Sequence, residues 1–249
     1  LIEGKASILG YNMPTKRLIV VRSWRSKPIY VEENSSFECT CGEGGGLEVV
    51  EGDTVPVEWR KAISEIGKSE RRAVVSVYGS ADSGKTSLAT LAANTLASSS
   101  GAIYLDLDVG QSSICPPTTI GYVFLKRAVP DVSVLRAEDG EVVGYTSPTP
   151  LASKHVEATR RLLRRAVKRR GEMHVISDFD GWASGEGAVS HKLMLLDILK
   201  STHLLSIGAL PNGLREFCEE NGVRFVYLWF TDILGFLKGL CITTTELPS

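Results

Sequence analysis

A glycine-rich motif of the form G-x-x-x-x-G-K-[ST] is the feature that most constrains how this chain can fold. It directly follows a continuous apolar run at residues 73–78, and it directly precedes a run of small residues at 86–98. A buried strand, a tight turn and a helix, in that order, are the setting that the motif requires. The motif consists of Gly79, Ser80, Ala81, Asp82, Ser83, Gly84, Lys85 and Thr86.

This motif predicts a binding site for nucleotide phosphates. Its glycines let the backbone curl so that successive N–H groups converge on phosphate oxygens, and the positive end of the helix dipole adds to that field. We expect Lys85 to reach the terminal phosphates, Thr86 to help hold Mg²⁺, and Ser87 to complete the site. A chance glycine-rich turn is the alternative, and it would need neither Lys85 nor Thr86.

The chain after the motif has the alternating pattern of an α/β domain. A second strand is expected at residues 102–107, so that strand, helix and strand form a right-handed crossover in a mostly parallel sheet. We therefore predict a P-loop NTPase domain over residues 63–249. Its other elements are strands at 174–178, 203–207 and 223–228 and helices at 59–68, 153–170, 189–201 and 214–221.

Short apolar runs broken by Gly, Asn and Pro make up the first part of the chain. Several short strands separated by turn residues at this spacing are typical of a small antiparallel sandwich. We therefore predict an N-terminal β-sandwich over residues 1–62. Its strands are expected at residues 6–9, 17–21, 29–31, 36–40 and 47–50.

Composition excludes several classes of protein. With 249 residues, 43% of them hydrophobic, and 28 basic against 29 acidic side chains, the chain is neither disordered, nor collagen-like, nor a basic nucleic-acid coat protein. Its longest apolar window, 223–242, contains three charged residues, so no membrane span is expected, and no signal peptide follows Leu1. The five scattered cysteines lack disulfide or zinc spacing and favour a reducing compartment, the cytoplasm or the nucleus.

Two aspartates stand where the second predicted strand ends. Asp106 and Asp108 are followed closely by Gln111. Ligands of doubly wound sheets bind at the carboxyl ends of strands, so these side chains should face the same crevice as the phosphate loop. In phosphoryl transfer one carboxylate can orient Mg²⁺ while another accepts the proton of the attacking hydroxyl. An aspartate that only caps the following turn is the alternative.

Together these segments resemble the P-loop polynucleotide 5′-hydroxyl kinases. That family includes the kinase subunit of the eukaryotic RNA cleavage factor, the pre-ribosomal RNA processing kinases and their archaeal relatives. The phosphate loop, D-L-D-V-G-Q at 106–111 and P-P-T-T-I-G at 116–121 carry the resemblance. The sequence G-Y-T-S-P at 144–148 is similar to the family's clasp, D-G-W at 180–182 to its T-x-G-W segment, and the first ten residues to the opening of its N-terminal sandwich.

The resemblance implies an activity and a role for each matching residue. The activity is transfer of the γ-phosphate of ATP, with Mg²⁺, to the 5′-hydroxyl end of RNA or DNA. Lys85 and Thr86 would hold the ATP phosphates and Mg²⁺, Asp108 would be the general base, and Asp106 would lie near the metal. The substrate end would be contacted by Gln111, Thr146, Ser147, Pro148 and Trp182, unless Trp182 is a core or interface aromatic.

Two departures from the family pattern motivate a second hypothesis. Phe179 stands where the family has Thr, and only the nearby Asp178 offers a polar side chain. The stretch 229–240 corresponds to a lid that carries two arginines in the family, but its only basic residue is Lys238, and Arg215 is a substitute or an ordinary surface arginine. The chain is also too short for the family's further C-terminal domain. The alternative function is therefore a weak or inactive ATP-binding scaffold with protein partners in an RNA-processing complex.

A strongly basic helix is predicted between residues 154 and 170. It carries eight basic residues and one acid, a local charge of +7. Such a surface can dock a nucleic-acid backbone or an acidic partner with salt-sensitive affinity. A solvated outer helix whose arginine stems cover apolar surface is the equally simple alternative.

Overall fold

A computed structural model describes residues 1–22, 25–69, 71–228, 230–231 and 237–238 of the chain. The helices are α1 (Val57–Gly67), α2 (Lys85–Ala97), α3 (Ala152–Arg169), α4 (Glu186–Leu199) and α5 (Asn212–Glu220). The strands are β1 (Ala6–Ile8), β2 (Tyr11–Asn12), β3 (Tyr30–Val31), β4 (Val74–Gly79), β5 (Ala102–Asp106), β6 (Thr119–Leu125), β7 (Asp139–Val142), β8 (His174–Asp178), β9 (His203–Ile207), β10 (Arg224–Leu228), β11 (Phe230–Thr231) and β12 (Leu237–Lys238). No helix among these described residues is long and apolar enough to cross a membrane.

A seven-stranded sheet forms the centre of the molecule, with the order β10-β9-β4-β8-β5-β6-β7. The first five strands in this order are parallel, and β6 and β7 extend the sheet with antiparallel pairing. The strands β4 and β5 are not neighbours, because β8 lies between them and pairs with both. The carboxyl ends of β4, β8 and β5 therefore lie side by side at one edge of the sheet.

Both faces of the sheet are covered by helices. Along β4, Val75 and Val77 pack into one hydrophobic core with side chains of α1 and α2. Val74 and Tyr78 point to the other face and pack into a second core with side chains of α3, α4 and α5. Burial on both faces explains why β4 is a continuous apolar run rather than an alternating one.

The α/β class with a mostly parallel sheet is confirmed, and each helix and strand predicted after residue 57 forms within a few residues of its expected bounds. The strands β6 and β7 were not predicted. They join the sheet by antiparallel pairing without an intervening helix, so no change of hydrophobic period marks them. The positions of β6 and β7 beyond β5 extend the sheet on the side where α3 packs.

The N-terminal region contains one small antiparallel sheet of order β2-β1-β3, separate from the central sheet. Predicted strands at 17–21, 36–40 and 47–50 are wrong, apart from a single bridge between Glu3 and Ser36. Leu18 is 85% exposed and Val49 is 92% exposed in these segments. A segment with strand propensity forms a strand only where a neighbouring strand hydrogen-bonds to its backbone. Propensity alone does not provide that neighbour, so the apolar pattern was misleading here.

The N-terminal sheet is attached to the α/β region through buried contacts. Ile8 and Leu9 belong to the same hydrophobic core as α1 and α2. Buried Asn94 of α2 donates from Nδ2 to the carbonyls of Leu9 at 2.8 Å and Val129 at 2.9 Å, and its Oδ1 accepts from the Val129 N–H at 2.9 Å. The predicted boundary at residue 62 stays a prediction.

Replacing Asn94 should test this attachment. The substitution Asn94→Leu keeps the volume but leaves two carbonyls and one N–H without their partner. We expect the free energy of unfolding to fall by about 2–4 kcal/mol, because each buried polar group left unsatisfied costs roughly 1–3 kcal/mol. Urea denaturation measures the change. The control Asn221→Ala, at an exposed residue, should stay within about 0.5 kcal/mol, and equal losses in both variants would contradict the assignment.

Candidate active site

The phosphate loop folds back on its own lysine. The Lys85 ammonium donates to the Ser80 carbonyl at 2.7 Å, and the side chain is 7% exposed at the start of α2. Gly84, the residue before α2, has φ +93°, in the left-handed region that favours glycine. A Cβ at Gly79 would lie 2.7 Å from Ser83 Oγ, so this position also requires glycine. The motif therefore has the backbone curl that phosphate binding needs.

A hydrogen-bonded pair joins the phosphate loop to the neighbouring strand. The Thr86 hydroxyl donates to Asp178 Oδ2 at 2.7 Å, and the Tyr104 hydroxyl donates to the same oxygen at 2.8 Å. Asp178 ends β8, which lies next to β4 in the sheet. The sequence indicated only that Asp178 ends a strand, and the strand order places it beside Thr86.

Asp106 lies beside Asp178, at the end of β5, which pairs with β8 on the side opposite β4. The two residues are partners in the parallel register of β5 and β8. Burial, together with the Asp178 charge, raises the pKa of Asp106 to about 7, and burial raises the pKa of Asp178 to about 6. Each charge opposes ionisation of the other in a site with little water. At neutral pH the pair therefore carries negative charge that a cation would relieve.

This carboxylate pair fits a magnesium ion. Among the described residues, Asp178 Oδ1 is buried without a hydrogen-bond partner. The Thr86 hydroxyl lies against the other oxygen of the same carboxylate. Hard oxygen ligands and a clustered negative charge are what Mg²⁺ prefers. Asp106 already accepts bonds from Ser112 and Ser113, so Asp178 has the freer carboxylate.

The loop after β5 orients Asp108. Its Oδ1 accepts the backbone N–H groups of Gly110 and Gln111, each at 2.9 Å. These bonds show that Asp108 caps the following turn, which was the alternative interpretation of this residue. The half-buried carboxylate also lines the cavity. The backbone of this loop meets the clasp, since a Cβ on Gly110 would lie 2.7 Å from the carbonyl oxygen of Thr146.

Trp182 lies on the far wall of the cavity. Its indole stacks on His191, with ring centroids 5.5 Å apart, and the half-buried ring still lines the cavity. The backbone N–H of Trp182 donates to Asp180 Oδ1 at 2.9 Å. The preceding Gly181 packs against the phosphate loop, where a Cβ would lie 2.9 Å from Ala81 Cα. The stacking surface is thus built directly onto the loop.

A single open cavity of about 420 Å³ brings most of the predicted site residues together. No local motif marks the N-terminal segment 25–27, which also lines the cavity, and the D-G-W segment was assigned a role only through Trp182, although Asp180 and Gly181 line the cavity as well. Of the predicted residues, Gly79, Ser80, Ser83 and Asp106 are not among those that line the cavity. Its walls include Ala81, Asp82, Gly84, Lys85, Thr86, Ser87, Asp108, Gln111, Thr146, Ser147, Pro148 and Trp182.

The structure locates two of the residues at which the sequence departs from the family pattern, Phe179 and Arg215. Phe179 is 1% exposed and packs in the second core, so it does not line the cavity. Arg215 lies on α5 and is not part of the cavity wall. The lid stretch 229–240 lies outside the described residues except for the backbone of β11 and β12.

Three of the eight basic residues in the basic helix pair with acids on or next to the edge strand β7. Arg161 and Arg165 of α3 pair with Glu141 of β7 at 2.8 and 2.6 Å, and Arg165 also pairs with Asp139 at 2.6 Å. Arg169 pairs with a third acid of the same hairpin, at 3.3 Å. This arrangement supports the solvated outer helix for these arginines, because their charge is neutralised within the molecule.

The chain is similar to known proteins over more than half of its length. A family model described as the mRNA cleavage and polyadenylation factor CLP1 P-loop matches residues 79–229. A polyribonucleotide 5′-hydroxyl-kinase of Methanocaldococcus jannaschii is 30% identical over 178 residues, which cover 70% of this chain and 48% of that protein. A second such kinase, from Pyrococcus abyssi, is 29% identical over 154 residues, which cover 61% of this chain and 43% of that protein.

The fold also matches a solved structure. A complex of wild-type Clp1p with Pcf11p aligns with a TM-score of 0.66 at 14% identity, covering 88% of this chain and 57% of that chain. Identity this low shows the fold alone. The chain spans about half the length of the curated relatives it matches.

The carboxylate pair predicts an unusual stability profile. Because the folded pKa values of Asp106 and Asp178 lie above the usual 3.8, the folded state holds protons that the unfolded chain releases. Without metal, stability should therefore fall as pH rises from about 4 to about 7. Asp178→Asn keeps the shape and removes one charge, so it should raise stability by about 1–3 kcal/mol near pH 8 and by little near pH 4.

Urea unfolding at both pH values measures this effect. Addition of Mg²⁺ near pH 8 should stabilise the wild type and leave Asp178→Asn nearly unchanged, since ligand binding to the folded state adds to stability. A variant less stable than the wild type near pH 8 would show that repulsion between the carboxylates is not the dominant effect.

Proposed function

Because the chain belongs to the CLP1 P-loop family, we propose that it is an ATP-dependent polynucleotide kinase that phosphorylates the 5′-hydroxyl end of RNA. The observation that carries this proposal is the shared cavity: the phosphate loop, an oriented carboxylate and a stacking indole all line it. The archaeal relatives named as polyribonucleotide 5′-hydroxyl-kinases support RNA as the substrate. DNA ends are the competing substrate, and the assay below compares the two.

In this proposal ATP binds with its phosphates in the loop at the start of α2. The loop N–H groups, the helix dipole and Lys85 hold the β- and γ-phosphates. Mg²⁺ would be held by Thr86 and Asp178, with Asp106 behind them. When bound, the ion supplies positive charge that neutralises the transferring phosphoryl group.

Asp108 is the proposed general base. Its Oδ1 is fixed by two backbone N–H groups, which leaves Oδ2 to accept the proton of the substrate 5′-hydroxyl. The 5′-oxygen then forms a bond to the γ-phosphorus while the bond from that phosphorus to the β,γ-bridging oxygen breaks, and ADP leaves. Positioning of the two oxygens in line supplies much of the rate in such reactions.

The opposite wall would receive the substrate end. Trp182 offers an indole for stacking on the terminal base, which requires no particular sequence. Thr146, Ser147 and Pro148 of the clasp and Gln111 line the cavity beside Asp108 and supply polar contacts to the terminal nucleotide.

The N-terminal segment supplies positive charge to the same cavity. Lys27 pairs with Asp131 at 2.5 Å, and both side chains are largely buried, so this charge is balanced locally. Arg25 also lines the cavity, and no carboxylate of the described residues lies within ion-pair distance of it. Its guanidinium is therefore available to an anionic substrate, whatever the lid stretch contributes.

Protein partners are part of the proposal. Two solved structures that share the fold contain Clp1p together with Pcf11p. By membership of this family, we propose that the chain works with other RNA-processing proteins.

The central test is transfer of labelled γ-phosphate from ATP to polynucleotide ends. The wild type should label 5′-hydroxyl RNA and should not label the same RNA carrying a 5′-phosphate. A 5′-hydroxyl DNA of equal sequence measures the preference between nucleic acids. Asp108→Asn should lower kcat by about 10²–10⁴-fold with ATP affinity unchanged, since that is the usual contribution of a general base.

The matched control is Asp197→Asn, an exposed aspartate that pairs with Lys200 at the end of α4. It should transfer phosphate at the wild-type rate. Stoichiometric ATP binding without any labelled ends would overturn the kinase and identify the ATP-binding scaffold instead. Hydrolysis of ATP that ignores the polynucleotide end would identify a generic NTPase.

Removal of the stacking indole should act on substrate affinity. Trp182→Ala should raise KM for the 5′-hydroxyl RNA by about 5- to 150-fold, because stacking on one base contributes roughly 1–3 kcal/mol. Trp182→Phe keeps an aromatic face and should retain most of the affinity. Steady-state kinetics at saturating ATP gives both values, and an unchanged KM in Trp182→Ala would place this indole outside the substrate site.

A further inference from the structure

The strand attached to the 5′ end in the proposed reaction has to leave the cavity. The cavity has a volume of about 420 Å³, and pockets of about 300–1,000 Å³ hold a single drug-sized ligand. The ATP phosphates and the terminal nucleotide would already occupy it. Further nucleotides would therefore lie on the outer surface of the protein, where a phosphate backbone is attracted to positive charge.

Helix α3 begins just after the clasp and leads away from the cavity. Residues 146–148 of the clasp line the cavity, and α3 starts at Ala152. The ammonium of Lys154 lies beside the clasp, since a Cβ on Gly144 would lie 3.4 Å from Lys154 Nζ. The helix ends shortly before β8 begins, at the edge of the sheet opposite the phosphate loop. Its outer face therefore leads from the clasp to the far side of the molecule.

Four exposed basic side chains lie along that outer face. At about 100° per residue they fall within about one third of the helix circumference, and the buried residues of α3 that pack in the second core lie on the opposite face. At roughly 1.5 Å per residue, the set is about 21 Å long. We call it the basic stripe, and its members are Lys154, Arg160, Arg164 and Lys168.

The charge of the basic stripe is not balanced within the part of the chain that the structure describes. No carboxylate there lies within ion-pair distance of Lys154, Arg164 or Lys168. Arg160 pairs with Glu157 at 3.6 Å, but both side chains are about half exposed, and such pairs contribute little. This distinguishes the stripe from the arginines that face β7, whose charges are balanced by acids.

Helix stability does not explain the basic stripe. Arg160, Arg164 and Lys168 follow one another at four-residue spacing, and like charges at that spacing destabilise a helix. The one acid of α3, Glu157, precedes all three and also pairs with Arg161 at 3.8 Å. The last two turns of the stripe therefore repel each other, and a bound anion would remove that repulsion.

We propose that the basic stripe of α3 binds the phosphate backbone of the polynucleotide whose 5′ end lies in the cavity. This inference rests on the proposed kinase function and makes a strand of several nucleotides the preferred substrate. A stacked strand carries one phosphate every roughly 3.4 Å along its axis, so about six nucleotides match the length of the stripe. A linear polyanion that emerges at the clasp is already attached to the bound end, which an acidic protein surface would not be.

The test measures how affinity depends on the length of the RNA. The ligands are a 5′-hydroxyl dinucleotide and a 5′-hydroxyl strand of about 12 nucleotides, each labelled at the 3′ end, and fluorescence anisotropy gives Kd. The wild type should bind the longer strand more tightly. Arg164→Gln with Lys168→Gln should weaken binding of the longer strand on the order of 10-fold near 50 mM salt and leave binding of the dinucleotide unchanged. The slope of log Kd against log salt should fall by about 1.4, since each phosphate contact of a single strand contributes roughly 0.7.

The matched control removes the same charge elsewhere. Lys61→Gln with Lys200→Gln changes two exposed lysines outside α3, and it should bind both RNAs like the wild type. Glutamine forms helices about as well as arginine and lysine, so the stripe variant should be at least as stable as the wild type in thermal unfolding. Equal weakening in the control, or equal affinity of the wild type for both lengths, would overturn the proposal.

Single variants test the direction of the path. Lys154→Gln should already weaken binding of a strand of about four nucleotides, because this residue lies beside the clasp. Lys168→Gln should weaken only strands long enough to reach the far end of the stripe. An effect of Lys168→Gln on the four-nucleotide strand without one of Lys154→Gln would overturn the path along α3.

Binding is measured without phosphate transfer, which separates this inference from the kinase proposal. If the wild type transfers no phosphate, the proposed function fails, whereas length-dependent binding that is lost in Arg164→Gln with Lys168→Gln still supports the stripe. Polyglutamate represents an acidic protein in the same assay. Unchanged RNA binding in that variant, with loss of polyglutamate binding, would assign the stripe to a protein partner and overturn the proposal.

Discussion

The position of β8 between β4 and β5 is the constraint on which the site depends. Parallel pairing brings the carboxyl ends of the three strands to one edge, so the phosphate loop, Asp178 and Asp106 follow one another across the sheet. The hydrogen bond from Thr86 to Asp178 then joins the loop to the middle strand. Without this order the loop could still bind phosphate, but its hydroxyl would have no carboxylate beside it.

The same arrangement concentrates charge in places that water hardly reaches. Asp106 and Asp178 oppose each other's ionisation, and Lys192 lies fully buried, paired with Asp180. Features like these lower the stability of a protein and persist where a ligand or a reaction needs them. A metal ion would reduce the repulsion between the two carboxylates, whereas the Lys192 ammonium balances the charge of Asp180.

Positive charge outside the cavity is distributed differently from what the sequence alone indicated. The arginines of α3 that face β7 are neutralised by acids of that strand, which is the edge strand of the sheet. Arg25 reaches the cavity from the N-terminal segment instead. A segment that carries no motif therefore adds positive charge to the cavity, beside Lys85 of the phosphate loop.

The sequence by itself determined the phosphate loop, the α/β pattern, and Asp106, Asp108 and Trp182 as site candidates, because each depends on residues close together in the chain. A buried strand, a glycine turn and a helix start are local properties, and they formed as expected. Tertiary structure alone decided that Asp178 lies beside Thr86, that Arg161 and Arg165 form ion pairs with acids of β7, and that Lys192 lies under Trp182. These contacts join residues that are far apart in sequence or on different elements, so strand order and helix packing, which leave no local pattern, decide them.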